Sequence, residues 1–169
     1  IELIKNDLKD DNSSKIFDFK KNYNYNFMKI GNGSLGGKAR GLAFANSYIK
    51  KLQNTTSFTN VTINVPKTLV ITTDEFDHFM VKNNLWDIAF TINDNNKLID
   101  KFQNASLSKS TIDSITDFLK ETKTPLAIRS SSLSEDSQYQ PLSGMYSTFM
   151  IPNSNLDINN IEKSIVKIK

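Results

Sequence analysis

Apolar side chains recur at helical spacing in three parts of the chain, and each part predicts a helix with one buried face. The first helix follows residue 34, and its apolar positions are Leu35, Ala39, Leu42, Ala43, Ile49 and Leu52. The second begins at residue 72 or 73, where a threonine can cap it, and its core positions are Phe76, Phe79 and Met80. The third begins at Ser108 or Ser110 and ends before Pro125, and its core positions are Ile112, Ile115, Phe118 and Leu119.

Short apolar runs between these helices predict strands. They cover residues 25–30, 68–72, 126–128 and 149–151. Helices and strands that alternate in this way indicate an α+β fold of the α/β sandwich type. Trp86 and Phe90 are expected to complete the core beside the second helix, and residues 93–96 are expected to form a loop.

The N-terminal part of the chain differs in composition from the rest. Residues 1–26 are rich in Lys, Asp and Asn and contain only a small apolar cluster, which predicts a polar arm or a linker. Residues 27–169 are predicted to form the folded domain. The chain begins without methionine and stops inside an apolar segment of helical period, so we expect a fragment truncated at its C-terminus.

The composition excludes several classes of site and partner. The 169 residues include no cysteine and one histidine, which excludes disulfides and argues against zinc, so no residue is assigned as a metal ligand. The 21 basic and 18 acidic residues leave a net charge of +3 without a basic run, so no nucleic-acid partner is expected. No apolar run approaches the ~20 residues of a membrane span, so we expect a cytoplasmic protein without a membrane partner.

The glycines are concentrated in one stretch. Residues 31–41 hold five of the six, and they lead directly into the first predicted helix. Clustered glycines allow tight turns whose N–H groups converge on an anion, and a helix N-terminus favours phosphate. Lys38 and Arg40 lie in the same stretch, where Arg40 is either a second phosphate contact or a solvated helix residue. The alternative for the whole stretch is a surface turn before an ordinary core helix.

Three known types of phosphate loop fit this stretch incompletely. A P-loop needs glycine where the chain has Asn32, and serine or threonine where it has Ala39. The glycines at 31, 33 and 36 fit the dinucleotide fingerprint, but no Asp or Glu occurs between residues 19 and 73 to bind the ribose. A protein kinase needs downstream Val-Ala-Ile-Lys and His-Arg-Asp motifs, which the chain lacks.

A second candidate for phosphate chemistry is Arg129. It stands at the end of the apolar run 126–128, which the pattern indicates to be a buried strand, and a charge there needs a partner or a function. Arg129 is expected to bind phosphate, to pair with Glu135 or Asp136, or to do both. Residues 130–132 are serines, and we expect them to act as cap and turn residues because no base accompanies them.

Four motifs follow one another in a fixed order along the chain. They are LGGKARGL at 35–42, VPKTLVITT at 65–73, AIRSS at 127–131 followed by Glu135-Asp136, and SGM at 143–145. This order resembles the N-terminal nucleotide-binding domain of phosphoenolpyruvate synthase and pyruvate, phosphate dikinase, over about residues 27–169. The resemblance implies the front part of an ATP-grasp-like domain. In that family the domain binds Mg-ATP and phosphorylates a histidine on a separate domain, which carries the phosphoryl group to pyruvate.

The resemblance also implies roles for individual residues. Lys38 would contact the nucleotide phosphates beside Gly36 and Gly37, and Arg129 would bind and brace the transferring phosphoryl group as the catalytic residue. The loop over the phosphates would comprise Ser143, Gly144 and Met145. The ligands of Mg²⁺ are expected outside this chain, which carries no recognisable carrier-histidine motif and no pyruvate-binding barrel. These roles agree with the general need of phosphoryl transfer for positioning and charge neutralisation.

The partners implied are ATP, a phosphohistidine carrier domain and a pyruvate-binding domain of the same parent chain. One alternative is a non-catalytic module that senses nucleotide or mediates an interaction with the same fold. Another is a related dikinase that phosphorylates a hydroxyl acceptor, because the front of the nucleotide-binding domain does not identify the final acceptor.

Overall fold

The structure, a computed structural model, describes residues 16–19, 25–55, 60–132, 146–153 and 165. Within them, helices and strands alternate along much of the chain, as the hydrophobic pattern predicts. The elements in chain order are β1 (Phe17–Asp18), β2 (Phe27–Ile30), α1 (Gly36–Thr55), β3 (Thr68–Ile71), α2 (Thr73–Lys82), α3 (Leu85–Thr91), α4 (Asn95–Asn104), α5 (Lys109–Glu121), β4 (Leu126–Arg129) and β5 (Thr148–Ile151). The fold is α+β, and the four predicted strands and three predicted helices are confirmed.

Strands β1, β2 and β3 form a parallel sheet with β2 in the centre. Phe27 lies opposite Thr68, and Ile30 lies opposite Ile71, so β2 and β3 are paired along their whole length. Parallel neighbours need a crossover connection, which α1 provides between β2 and β3. The short strand β1 pairs with β2 on the other side and belongs to the segment 1–26. Phe19, directly after it, is buried.

The two faces of this sheet pack against different helices, because successive side chains of a strand point to opposite sides. On one face, Phe27 and Val70 are buried against Ala39 and the partly buried apolar residues of α1. On the other face, Met28 and Ile30 join a cluster with α5; its other buried members are Phe19, Ile115, Phe118 and Leu119. The sheet is therefore a central layer between α1 and α5.

Strands β4 and β5 form a separate antiparallel pair, in which Arg129 lies opposite Thr148. Along β4, Leu126 and Ile128 are half-buried, whereas Ala127 and Arg129 are exposed. The expectation of a fully buried strand at 126–128 is therefore wrong. Half-buried and exposed residues alternate along β4, which places the Arg129 side chain on the open face. The charge of Arg129 is therefore not buried, and no partner is needed to compensate for burial.

Helices α2, α3 and α4 form a third cluster around Phe79, Met80, Leu85 and Ala105. Two predictions fail in this region. Phe90 is 82% exposed and Trp86 is 41% exposed, since α3 turns Leu85 and Ile88 towards the cluster instead. Phe76, expected in the core, is 49% exposed and packs edge-on against Trp86.

Helix α4, like α3 and the short strand β1, is an element that the hydrophobic pattern did not predict. It begins after Asp94, whose carboxylate accepts hydrogen bonds from the N–H groups of Asn96 and Lys97 at 3.0 and 3.3 Å. None of its residues is buried, so a local cap rather than an apolar face marks its start. No helix among the described residues is long and apolar enough to cross a membrane.

Candidate functional site

The glycine loop, residues 31–35, connects β2 to α1 and is pressed against the start of α2. Gly31 has a φ of +92°, and a Cβ atom added to it would lie 2.1 Å from Thr72 Oγ1. A Cβ atom on Gly33 would lie 2.6 Å from the backbone nitrogen of Asp74. Both positions therefore require glycine because another part of the chain occupies the space that a side chain would fill.

The N–H groups of this loop do converge on an anion, and that anion is a side chain of the same molecule. Asn32 N donates to Asp74 Oδ2 at 2.8 Å, and Gly33 N donates to Asp74 Oδ1 at 2.9 Å. The Thr72 hydroxyl is also hydrogen-bonded to Asp74 Oδ1. Consecutive N–H groups that bind one carboxylate form the concave anion site expected for such loops. Sequence analysis missed this role of Asp74, which lies in the first turn of α2.

These hydrogen bonds determine how Asp74 titrates. Burial by itself would raise the pKa of the Asp74 carboxyl. The hydrogen bonds from Thr72, Asn32 and Gly33 outweigh it and hold the pKa well below its usual range, because they stabilise the ionised form. Asp74 is therefore a carboxylate at every pH at which the protein is expected to work.

A second set of contacts joins the end of the loop to α2. Ser34 N donates to Thr73 Oγ1 at 2.9 Å, and Thr73 N donates to the Ser34 carbonyl at 3.1 Å. The exposed Arg40 side chain donates through Nη2 to Ser34 Oγ at 2.9 Å. The sequence leaves open whether Arg40 contacts phosphate or is a solvated helix residue. In the structure its side chain contacts the glycine loop.

The N-terminus of α1 is pressed against the segment after β4. Gly37 N donates to the Ser132 carbonyl at 3.3 Å, and Ala39 N donates to Ser131 Oγ at 2.9 Å. Gly36 is buried with a φ of +74°. Ser131 Oγ thus binds an N–H group in the first turn of α1, 92 positions away in sequence, and the role of residues 130–132 as cap and turn residues stays a prediction.

Lys38 lies beside the segment after β4 and beside Tyr146. Its Nζ atom donates to the carbonyl of Ser130 at 3.4 Å, directly after Arg129. The same atom lies 5.8 Å from the ring centroid of Tyr146. Tyr146 is the first described residue after the predicted loop over the phosphates. The loop itself, Ser143, Gly144 and Met145, lies outside the described residues.

The Arg129 side chain is exposed on the open face of the β4–β5 pair. Its possible acidic partners, Glu135 and Asp136, lie outside the described residues. On β5, Thr148 lies directly opposite and is also exposed, so this end of the pair presents polar groups to solvent. An exposed guanidinium has forked donors that suit a phosphate group.

The described residues around Lys38 do not fit a magnesium ion. They contribute hydroxyl groups, carbonyl groups and an aromatic ring, whereas Mg²⁺ is held by carboxylates. Across the described part of the chain, no group of three or more His, Asp or Glu side chains could hold a metal.

Comparison with known proteins identifies one family. Its model, described as "Pyruvate phosphate dikinase, AMP/ATP-binding domain", matches residues 32–167. The match includes the greater part of the glycine loop, Lys38, Arg129 and Tyr146. Searches of curated proteins and of solved structures found no match.

Proposed function

Because the chain belongs to the pyruvate phosphate dikinase AMP/ATP-binding domain family, we propose that it binds ATP with the phosphate groups between Lys38 and Arg129. One observation carries this proposal. Lys38 Nζ lies 3.4 Å from the Ser130 carbonyl, so the lysine of the first motif adjoins the residue that follows Arg129 in the third motif. The two cations are far apart in sequence, and the contact of Lys38 with the residue that follows Arg129 supports a shared anionic ligand.

Side chains rather than backbone groups carry phosphate recognition in this proposal. The N–H groups of Asn32 and Gly33 are engaged by Asp74, and those of Gly37 and Ala39 are engaged by residues 131 and 132. The charge of ATP is therefore neutralised by the ammonium group of Lys38 and the guanidinium group of Arg129. Phosphoryl transfer needs such charge stabilisation and positioning more than covalent help from the protein.

The reaction we propose for the parent protein follows from the family. One phosphoryl group of ATP passes to a histidine of a carrier domain, a second passes to water or to inorganic phosphate, and AMP is released. The phosphohistidine then transfers its phosphoryl group to pyruvate, which yields phosphoenolpyruvate and regenerates the free histidine. Arg129 braces the transferring group, and Gly36, Gly37, Ser143, Gly144 and Met145 complete the enclosure of the phosphates. The ATP-grasp-like domain would span residues 27–169, with residues 1–26 as an arm. Mg²⁺ would accompany ATP with ligands outside this chain, and the use of ATP favours a cytoplasmic location.

Calorimetric titration of Mg-ATP, with AMP for comparison, tests the proposal. Lys38→Ala and Arg129→Ala should each weaken ATP binding by about 10- to 150-fold, or about 1.5 to 3 kcal/mol, as for a lost charge-assisted hydrogen bond. Lys50→Ala is the matched control, because it removes the same charge from the same helix, about three turns away from Lys38. The proposal is wrong if the wild-type protein prefers AMP, or if all three variants bind ATP equally.

A non-catalytic nucleotide-binding module is the second candidate. The observation in its favour is that Asp74 occupies the N–H groups of the glycine loop, which leaves fewer backbone donors for phosphate. Incubation of the complete protein with ATP labelled at its phosphates separates the two functions. Label on a histidine supports the phosphotransferase, whereas ATP binding without any phosphohistidine supports the module.

A further inference from the structure

We propose that Asp74 is a positioning residue for nucleotide binding, which acts through the glycine loop on Lys38 and does not itself touch the nucleotide. This inference rests on the proposed role of Lys38. The Asp74 carboxylate oxygens accept hydrogen bonds from the backbone nitrogens of Asn32 and Gly33, at 2.8 and 2.9 Å. Its effect on ATP would therefore be indirect, through the shape of the segment that leads into α1.

Few residues connect the loop that Asp74 binds to Lys38, and their conformation is restricted. Only Ser34 and Leu35 separate the last bound residue, Gly33, from the first residue of α1. A Cβ atom on Gly33 would lie within 3 Å of both Thr73 and Asp74, so the loop fits closely against α2. A change in the shape of the loop must therefore shift or tilt the first turn of α1, which carries Lys38.

The chemistry of the carboxylate suits this task better than that of any neutral side chain. An ionised Asp is an acceptor at both oxygens, and here the two oxygens receive different N–H groups while the Thr72 hydroxyl adds a third contact. An amide of the same shape has one acceptor oxygen, and its NH₂ group would face a backbone N–H. Asp74→Asn therefore disrupts the interaction while it preserves the volume of the side chain.

The same geometry separates Asp74 from the phosphate site. Its negative charge would repel a phosphate group placed on Asn32 and Gly33, whose donors it already occupies. Two other contacts, between Ser34 and Thr73 and between Ser34 and Arg40, remain when Asp74 is changed. We therefore expect the loop of Asp74→Asn to loosen locally while the domain stays folded.

Hydrogen exchange of the complete protein tests the first half of the inference without nucleotide. Asp74→Asn should raise the exchange rates of the amides of residues 32–34 and 37–39 by about tenfold or more, as local opening becomes easier. Asp77→Asn is the matched control, because Asp77 lies on the same helix with an exposed side chain. Unchanged exchange at residues 37–39 in Asp74→Asn would overturn the inference.

A double-mutant cycle with ATP binding tests the second half. Asp74→Asn should weaken ATP binding by about tenfold in the presence of Lys38 and should cause no further loss in Lys38→Ala, because residues that act as a unit are not additive. An equal loss in both backgrounds would overturn the inference, since a purely structural defect does not depend on Lys38. Should Asp74→Asn fail to fold, Asp74→Ser retains one oxygen acceptor, and the same outcomes decide.

The two proposals fail in distinguishable ways. If Lys38→Ala weakens ATP binding but Asp74→Asn does not, the positioning role is wrong and the proposed function stands. If Lys38→Ala binds ATP like the wild type, the proposed role of Lys38 is wrong, and the action of Asp74 through it is overturned as well.

Discussion

The carbonyl oxygen of Ser131 lies 1.3 Å from the point that a Cβ atom on Gly36 would occupy. The backbone after β4 and the first residue of α1 are thus in direct contact, and no side chain fits between them. Because Lys38 follows Gly36 by two residues and Arg129 precedes Ser131 by two, this contact sets the separation of the two proposed phosphate-binding cations.

Gly36→Ala should destabilise the protein strongly. The new methyl group would overlap a backbone oxygen that cannot rotate away, and the φ of +74° itself costs a non-glycine residue about 1–2 kcal/mol. We expect a loss of more than about 2 kcal/mol in the free energy of unfolding, measured by urea denaturation.

Gly41→Ala is the control for that experiment, because it lies within the same helix and no neighbouring atom lies within 4 Å of its Cβ position. It should stabilise the protein by about 0.5–1 kcal/mol, since alanine is the better helix former. Equal effects of the two substitutions would contradict the close contact between Gly36 and Ser131.

Thr122→Val should stabilise the protein. The Thr122 hydroxyl is buried and has no hydrogen-bond partner among the described residues, so on folding it loses its hydrogen bonds to water without replacing them. Removal of the hydroxyl therefore removes this cost from the free energy of folding. Valine has nearly the same shape, and we expect a gain of about 1 kcal/mol in the free energy of unfolding. Thr122→Ser, which retains the hydroxyl, should not give this gain; a loss of stability in Thr122→Val would show that the hydroxyl is hydrogen-bonded.

Arg129→Ala should weaken ATP binding without lowering the melting temperature appreciably. The side chain is exposed, and exposed ion pairs contribute only about 0–1 kcal/mol, so a structural role predicts at most a small change. Differential scanning calorimetry of the variant provides the measurement. A fall of more than about 5 °C would instead indicate that Arg129 forms a structural ion pair, as with Glu135 or Asp136.

The contribution of Asp74 to stability should depend on pH in a defined direction. A carboxyl whose pKa is lowered by folding stabilises the protein above the pKa of the unfolded chain, about 3.9, and this stabilisation is lost as the pH falls. The difference in unfolding free energy between wild type and Asp74→Asn should be constant above about pH 5 and shrink below about pH 4. Urea denaturation of both proteins across this pH range provides the measurement, and a difference that grows with acidity would contradict the hydrogen-bonded carboxylate.

Most regular elements could be predicted because they bury one face. The period of α5 is visible in Ile115, Phe118 and Leu119, all of which are buried in the structure. The failures lie where burial is weak. Helix α4 has no buried residue, and the apolar side chain of Phe90 is exposed although its type suggested a core position. Residue type indicates a preference for burial, but the packing of neighbouring helices decides which apolar side chains are covered.

For the site, sequence order allowed the motifs to be recognised but not their contacts. That Lys38 and Arg129 suit phosphate follows from their chemistry and from the family motifs around them. That Lys38 reaches the carbonyl of Ser130 does not follow, because 92 positions separate the two residues. The role of Asp74 was missed for the same reason, since its partners Asn32 and Gly33 lie more than 40 positions away.

Residues within a few positions of one another were thus sufficient to predict the sandwich of helices and strands and the anion-binding character of the glycine loop, and the order of four short motifs was sufficient for the resemblance to a dikinase. Which anion the loop binds was decided only by the tertiary structure. A carboxylate held beside the loop by the sheet and α2 is always present at high effective concentration, so it occupies N–H groups that would otherwise be open to a dissolved phosphate. In the proposed function phosphate recognition is left to Lys38 and Arg129, and the contact between Gly36 and Ser131 brings the two segments that carry them together.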